Sequence, residues 1–539
     1  MAPLSKKLSV LVTIIMACAL LVPGCMGIAR YKYEQPLNII EDAYRTWYEV
    51  FVPSFYDSNG DGTGDLAGVT AKLDYLNDGK GGGLGVNGIW LMPIMPSPSY
   101  HKYDVTDYEN VDPSYGTPGD LERLATECHK RDIRLIIDYE FNHTSSQHPW
   151  FLSATQAIRD NPDNPGSNPY LAYYNFVHGT PASSGYAPVG TTGWFYEAEF
   201  TSSMPDLNLD NTAVRAELEK SAQFWLGLGV DGFRLDAVQT YYGTTSSGDI
   251  DRNIALIDWF TGVCQSVDPD AYIVGEVWSN ATTIADYYRS DATSFFAFPF
   301  AQATGIIAST LNGSGTDANA RGFCKLIAVW QKMLQDVDPD AVDAPFIGNH
   351  DTARAAGFFS GDLQKTKMAA GLYLTMSGGP FVYYGEEIGL SGSRTDPDKR
   401  GPMLWSDTVT TGMTKGPPGM EPARVLFPAE DVQDADALSL LNYYRRVVRL
   451  RNENPEVGRG TVAVLEDLGD PDLCAVSKTW AGSKVVLVYN TSTERKSIVF
   501  SKADHQITGV RGYLSTTGAA VTLWGDRLTL PPMSIVVLK

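Results

Sequence analysis

Arg134-Leu-Ile-Ile-Asp-Tyr-Glu-Phe-Asn-His143 is a short apolar run that ends abruptly in polar side chains. A run of this length, bounded by loop residues, reads as a strand buried on both faces. The same pattern returns in Gly232-Phe-Arg-Leu-Asp236, in Ala271–Glu276 and in Pro345–Asp351. Further apolar runs lie at Val50–Phe55, Gly88–Ile94, Phe295–Phe300 and Pro380–Tyr384. Between them are amphipathic stretches such as Leu121–Arg131 and Val214–Leu228, and Thr117-Pro-Gly-Asp120 is a helix start signal. Strand followed by helix, repeated, predicts a parallel sheet with crossover helices.

Spacing sets the closure. A βαβ unit takes roughly 30 residues or somewhat more. Trp90 to Asp138, Asp236 to Glu276 and Asp351 to Glu386 each hold one unit, and Glu276 to Asp351 holds two, with Phe295–Phe300 as the strand between. Asp138 to Asp236 is one unit with an excess of roughly 60 residues. That excess falls in 143–210, rich in Asn, Pro, Gly, Ser and Tyr, and reads as a small domain inserted on one βα loop. Eight strands predict an α/β fold closed as a (β/α)8 TIM barrel. An open doubly wound sheet is the alternative, but no GxGxxG phosphate loop follows any strand. The barrel is expected over 36–142 and 211–455, with Ala437–Arg451 as its last helix. From 456 to 539 the pattern turns strand-like (Ala463–Leu465, Lys484–Tyr489, Ser497–Phe500, Met533–Leu538), which predicts a C-terminal all-β domain, a sandwich.

Of the 539 residues, 63 are acidic and 42 basic, a net charge of −21 that argues against nucleic acid or an anionic membrane surface as the main partner. It suits neutral ligands and bound cations. Lys6 and Lys7 precede the apolar run Leu8–Val22, which reads as a signal peptide over 1–25. Val22-Pro-Gly-Cys25 resembles a bacterial lipoprotein cleavage box, so a lipid on Cys25 is expected to tether an exported, cell-envelope protein. Ordinary cleavage near Gly27-Ile-Ala29, giving a secreted chain, is the alternative. A monomer is expected. Cys128, Cys264 and Cys324 fall in helix-like segments and read as buried thiols, while a disulfide among these and Cys474 stays open.

The polar residues that follow the apolar runs carry the chemistry, because in a barrel the strand C-termini face the active site. Asp236, Glu276 and Asp351 come from three different strands. Two carboxylates flanking a bond are what glycoside hydrolysis needs: one protonates the leaving oxygen while the other attacks or activates water. Arg234, two residues before Asp236, would hold that carboxylate ionised. Asp138 reads equally well as an ordering residue for the loop and for Arg234.

Four motifs in this order, Asp138-Tyr-Glu-Phe-Asn-His143, Gly232-Phe-Arg-Leu-Asp236, Gly275-Glu-Val-Trp278 and Gly348-Asn-His-Asp351, resemble the conserved regions of the alpha-amylase superfamily, glycoside hydrolase family 13. His101–Tyr108, Pro380–Glu387 and Lys399–Trp405 also look like family segments, and the likeness runs from about Tyr48 to the C-terminus. The resemblance implies that 143–210 is the family's domain B and 456–539 its domain C. It implies a retaining mechanism with Asp236 as nucleophile, Glu276 as acid and then base, and Asp351 as stabiliser of the transition state. Arg234 would bond Asp236, His143 and His350 would hold the sugar ring, and Tyr103 would stack against it. Trp278, beside Glu276, is expected to line a subsite. The carboxyls of Asp236 and Glu276 should lie about 5–5.5 Å apart.

Met204-Pro-Asp-Leu-Asn208 resembles the variant of this stretch in bacterial alpha-amylases intermediate between the oligo-1,6-glucosidase and neopullulanase groups, which points to an α-glucan substrate: starch and maltooligosaccharides. Small Ala237 suits α-1,4 linkages. An endo-acting α-amylase is therefore expected. The alternatives are an exo-acting α-glucosidase, an enzyme of cyclodextrin or pullulan, or a carbohydrate-binding protein on the same scaffold.

Asp57-Ser-Asn-Gly-Asp-Gly-Thr-Gly-Asp65 places oxygen side chains at alternate positions with Gly62 at the sixth, like the front of an EF-hand loop. Gly68 stands where an EF-hand has Glu. The reading is a Ca²⁺ loop without the EF-hand fold, with Asp57, Asn59, Asp61, the Thr63 carbonyl and Asp65 as ligands, and the family has a matching loop. An interdomain calcium known in many amylases uses the Asn at position 142 and a His where this chain has Thr240, so Asn142 is not counted as a ligand.

Overall fold

In the computed structural model, residues 43–539 are described, apart from 182–183, 243–246, 422–423 and 466. The leader, Cys25 and the alternative cleavage site lie outside the described residues. Among the described residues no helix is long and apolar enough to cross a membrane.

The strands run, in chain order, β1 (Trp47–Val50), β2 (Gly88–Leu91), β3 (Arg134–Tyr139), β4 (Phe176–His178), β5 (Tyr186–Pro188), β6 (Trp194–Glu197), β7 (Gly232–Leu235), β8 (Tyr272–Gly275), β9 (Ser294–Phe295) and β10 (Phe381–Tyr383). Seven of them form one parallel sheet in the order β10-β1-β2-β3-β7-β8-β9. The gap between its two edges is filled by an extended segment, Asp343–Ile347. Ala344 exchanges backbone hydrogen bonds with Phe295 and Ala297 on one side, at 3.3 and 3.0 Å. On the other side Asp343 and Pro345 accept from Gly379 and Phe381 at 2.7 and 2.8 Å. The eight-fold closure expected of a TIM barrel is made in this way.

Proline explains where the strands depart from the sequence reading. The first strand is Trp47–Val50 and not Val50–Phe55, because Pro53 opens a 3₁₀ turn at Val52–Ser54. Of Phe295–Phe300 only Phe295 joins the sheet, in the short strand Ser294–Phe295, and a 3₁₀ turn containing Pro299 follows. Pro345, which has no N–H, leaves Pro345–Ile347 as bridging backbone and not a regular strand. The helix Pro118–His129 starts as expected, with a reciprocal cap between Thr117 and Asp120, and buries Leu121, Leu124, Ala125 and Cys128 along one stripe.

Between β3 and β7 lies a three-stranded antiparallel sheet, β4-β6-β5. The C-terminal strands are β11 (Thr461–Val464), β12 (Leu473–Trp480), β13 (Ser483–Asn490), β14 (Lys496–Val499), β15 (Val510–Ser515), β16 (Thr522–Trp524), β17 (Arg527–Leu530) and β18 (Ser534–Leu538). They form a five-stranded sheet, β11-β12-β13-β18-β15, and a three-stranded sheet, β14-β17-β16. Alternate residues of the larger sheet serve two cores. Val476, Leu487, Tyr489, Ile535 and Val537 join the barrel core. Ala475, Val486, Val488, Val536 and Leu538 pack with Leu528 and Leu530 of the smaller sheet. Burial on both faces is why these strands read as unbroken apolar runs.

Cys324, in the helix Ala320–Val337, is disulfide-bonded to Cys474 on β12, so it is not the buried thiol the sequence suggested. Cys128 and Cys264 are buried free thiols. The bridge joins a barrel helix to the C-terminal sheet across a sequence separation of 150. Closing a loop of this size restricts the unfolded chain, which contributes roughly 2–4 kcal/mol. Cys324→Ser, or reduction of the native protein, is therefore expected to lower the calorimetric Tm by several degrees. An unchanged Tm in both cases would mean the bridge adds nothing to stability.

Candidate active site

Arg234 sits in β7, whose four residues are all buried, and its side chain points into the barrel. A guanidinium cannot shed its proton there, so it needs anions around it. Its Nη1 donates to Asp138 Oδ1 at 2.8 Å and to Asp236 Oδ1 at 2.7 Å. Its Nη2 lies 3.0 Å from Glu276 Oε1, an ion pair without hydrogen-bond alignment. Asp138 is on β3, Asp236 follows β7 directly and Glu276 follows β8. Parallel pairing of Asp138 with Arg234 and of Leu235 with Gly275 brings these three carboxylates to one end of the barrel.

Glycine permits the closeness at one point. A Cβ on Gly275 would lie 2.5 Å from the Phe295 ring. Ala237, next to Asp236, is left-handed at φ 42°, ψ 45°, a strained conformation for a residue with a side chain. That turn aims its N–H at Glu276 Oε2, 3.1 Å away.

Asp351 lies across from this group. His350 Nε2 is 3.0 Å from Asp351 Oδ2, and Arg400 Nη2 is 3.2 Å from Asp351 Oδ1. The other nitrogen of His350, Nδ1, is 2.6 Å from Glu49 Oε1 on β1. Tyr103 ties the two halves together: its hydroxyl is 2.7 Å from His350 Nε2 and donates to Asp138 Oδ2 at 3.0 Å. His143 Nε2 is 3.0 Å from the Tyr103 carbonyl.

These contacts set the charges. Burial is the main cause that pushes the Glu276 carboxyl up, to about 7, with Asp236 and Asp351 adding and Arg234 opposing. Burial also raises Asp138, to about 6, against Arg234. His350 goes the other way: burial disfavours its charge, but Asp351 and Glu49 outweigh it and lift the imidazole to about 10. Burial likewise disfavours the charge on Asp351, yet His350 and Arg400 hold its carboxyl well below the usual carboxylate range.

The structure thus draws Asp236, Glu276, Asp351, Arg234, His350, His143 and Tyr103 into one array. Trp278 stands apart from that hydrogen-bond network: its ring is 43% exposed and stacks on Phe298, with centroids 5.1 Å apart. Four contributors escaped the sequence reading as site residues. Asp138 reads from the sequence equally as an ordering residue or a functional one. Arg400 stood in a quoted family segment without a role. Glu49 carries one sequence signal, a single acid in a fully buried strand, and that strand starts before the apolar run Val50–Phe55. Phe200, from the inserted segment, packs on His143 with centroids 5.2 Å apart and is 43% exposed.

The Asp57–Asp65 loop follows β1. Its carboxylates turn back on the loop: Asp57 accepts from the N–H groups of Asn59, Gly60 and Gly62, Asp61 from Thr63, and Asp65 from Ser58 and Gly68. Asp65 thereby caps the helix Leu66–Ala71. Among the described residues, no three or more His, Cys, Asp or Glu side chains are grouped to hold a metal ion. Asn142 donates to Asp206 Oδ1 at 3.1 Å, joining β3's end to the inserted segment by a direct hydrogen bond.

Breaking the central ion group tests its energetics. Arg234→Met leaves Asp138 and Asp236 buried without their cation, and should cost about 3–5 kcal/mol at neutral pH. The cost should shrink in acid as the carboxyls gain protons. A loss below about 1 kcal/mol by chemical denaturation at pH 7 would show that the acids are compensated elsewhere.

The family description "Alpha amylase, catalytic domain" matches residues 49–460. "Alpha-amylase 3" of Dictyoglomus thermophilum is 36% identical over 84% of this chain and 86% of its own length. "Oligo-1,6-glucosidase" of Parageobacillus thermoglucosidasius is 29% identical over 85% of this chain and 92% of its own. The solved structure of Eubacterium rectale Amy13B superposes with a TM-score of 0.87 at 42% identity, covering 93% of this chain and 96% of that one.

Proposed function

Since the chain belongs to the alpha-amylase family of glycoside hydrolases, we propose that it is an endo-acting α-amylase cleaving internal α-1,4-glucosidic bonds of starch and maltooligosaccharides with retention of configuration. One observation carries the reading: Asp236 and Glu276, from adjacent strands, meet on the Arg234 guanidinium. Asp236, which accepts a hydrogen bond from that cation, attacks the anomeric carbon. Glu276, buried and proton-bearing below about pH 7, gives its proton to the leaving oxygen. It then takes a proton from the water that opens the glycosyl-enzyme. Asp351, kept anionic by His350 and Arg400, accepts hydrogen bonds from sugar hydroxyls and balances the positive charge that grows on the ring. His143, His350 and Tyr103 orient that ring.

The α-amylase reading is favoured over the exo-glucosidase one because the relative named an alpha-amylase is more similar than the one named an oligo-1,6-glucosidase. Trp278, two residues after Glu276, and Phe200, packed on His143, are each partly exposed aromatic rings, which suits stacking of further sugar rings. Export is part of the proposal, with lipid on Cys25, and the Cys324–Cys474 bridge is in keeping with an oxidising compartment.

The mature protein should release mixed maltooligosaccharides from soluble starch and cut end-blocked maltoheptaoside, and Asp236→Asn should do neither. Glucose as the sole product, with the blocked substrate intact, would replace the endo reading by an exo one. Because Glu276 must carry a proton, kcat/KM should fall about tenfold per pH unit above its pKa of about 7. A flat profile to pH 9 would remove Glu276 from the role of acid.

We also propose that the Asp57–Asp65 loop holds Ca²⁺. The donors are all hard oxygens: the side chains of Asp57, Asn59, Asp61 and Asp65 and the carbonyl of Thr63. Although burial opposes it, backbone N–H groups hold Asp57 below the usual carboxylate value, so it is anionic at neutral pH. A bound ion would brace the loop after β1 and take no part in the chemistry. Calorimetry of chelated protein should show Ca²⁺ binding, and Asp61→Ala should abolish it and lower Tm. Absence of binding, with Tm unmoved by the substitution, would leave the loop a self-bonded turn.

A further inference from the structure

Glu49 is the one acid in a strand whose four residues are all buried, and an ionised carboxylate there is costly unless it is paired. Its partner is the His350 imidazole, fully buried, with Nδ1 at 2.6 Å from Glu49 Oε1. The opposite nitrogen faces Asp351 Oδ2 at 3.0 Å and the Tyr103 hydroxyl at 2.7 Å. A neutral imidazole has one N–H. With that proton directed at Glu49, Nε2 would turn a lone pair towards the Asp351 carboxylate. The contact on both sides therefore requires a proton on each nitrogen.

We infer that Glu49 is a positioning residue of the reaction: it holds His350 as an imidazolium, so that Nε2–H is presented to Asp351 and Tyr103 together. The consequence reaches further. Tyr103, relieved of donating to His350, donates to Asp138, which shares Arg234 with Asp236. A carboxylate on β1 thereby fixes the donor direction of the chain that ends at both catalytic acids. The inference rests on the glycosidase reading of the Asp236, Glu276 and Asp351 site.

The groups that act on His350 come from several elements: Glu49 on β1, Tyr103 after β2, Asp138 on β3, Glu276 after β8, and Asp351 in its own loop. Arg400 opposes them from the far side of Asp351. Removing one carboxylate at this distance lowers an imidazole's pKa by roughly one to three pH units. From about 10 in the intact protein, His350 then titrates within the range of an assay.

The test is Glu49→Gln, with Glu49→Asp as the charge-keeping control, in the full mature chain. Only seven histidines are present, so ¹⁵N-histidine spectra can follow His350 directly. In the native protein and in Glu49→Asp, His350 should stay doubly protonated from pH 5 to 9. In Glu49→Gln it should titrate in that interval, and kcat/KM on end-blocked maltoheptaoside, relative to native at the same pH, should drop about tenfold between pH 5 and 8. The inference is overturned if His350 keeps its charge in Glu49→Gln. It is equally overturned if His350 loses the charge while the activity ratio stays constant. If Glu49→Gln does not fold, the native spectrum decides: titration of His350 near the ordinary histidine value overturns the idea. Lack of turnover by the native enzyme would instead strike the glycosidase reading, and leaves the spectroscopic result standing on its own.

Discussion

A permanently charged guanidinium buried inside a barrel is the constraint around which this site is arranged. Arg234 is inaccessible to water, and each of its contacts with Asp138, Asp236 and Glu276 offsets part of the cost of burying it. The three acids cannot be moved independently. They lie on or directly after three neighbouring parallel strands whose register is set by backbone hydrogen bonds, so the ion group is as rigid as the sheet. Rigid placement of charge in a dry site is what lets a carboxylate pair act on a glycosidic bond without reorganising.

Charge alternates outward from that centre. Asp351 is flanked by His350 and Arg400, and His350 by Glu49 and Asp351. The result is a division of labour between acids of the same type. Asp351 lies between two cations and stays anionic, whereas burial among other acids keeps a proton on Glu276 until about neutral pH. The left-handed turn at Ala237 belongs to the same scheme, since it brings a backbone N–H to Glu276 at a local conformational cost. Glu140 fits it less obviously. It is buried beside these acids with neither side-chain oxygen hydrogen-bonded, and burial followed by Asp138 and Asp236 pushes its pKa well up. It is best described as a neutral acid, and nothing in the structure explains why an apolar residue does not stand there.

Far from the acids, the barrel is continuous with the C-terminal sheet. Strands β12, β13 and β18 give one face to the barrel core and the other to the small sheet, and the disulfide crosses the same junction. Lys478, fully buried there, donates to the carbonyls of Thr375 and Val457 at 2.6 and 2.7 Å. Burial is the main cause that holds its pKa well below the usual lysine value. The C-terminal strands therefore complete the hydrophobic core of the catalytic barrel in addition to forming their own.

By itself the sequence determined the parts that depend on local pattern. Apolar runs ending in polar residues located the strands, their spacing implied eight βα units, and the ends of the runs pointed to Asp236, Glu276, Asp351 and Arg234, while the resemblance of the motifs to a known family added His143, His350 and Tyr103. Such features are local because strand burial and loop composition are written in consecutive residues. Proline shifted three strands, since a missing N–H acts on pairing with a distant partner and leaves no mark on hydrophobicity. The pairing of Cys324 with Cys474, the bond from Glu49 to His350 and that from Arg400 to Asp351 were decided only by the tertiary structure. Each joins residues far apart in the chain, and their meeting depends on how the barrel closes, a property of all its strands together that no single stretch contains.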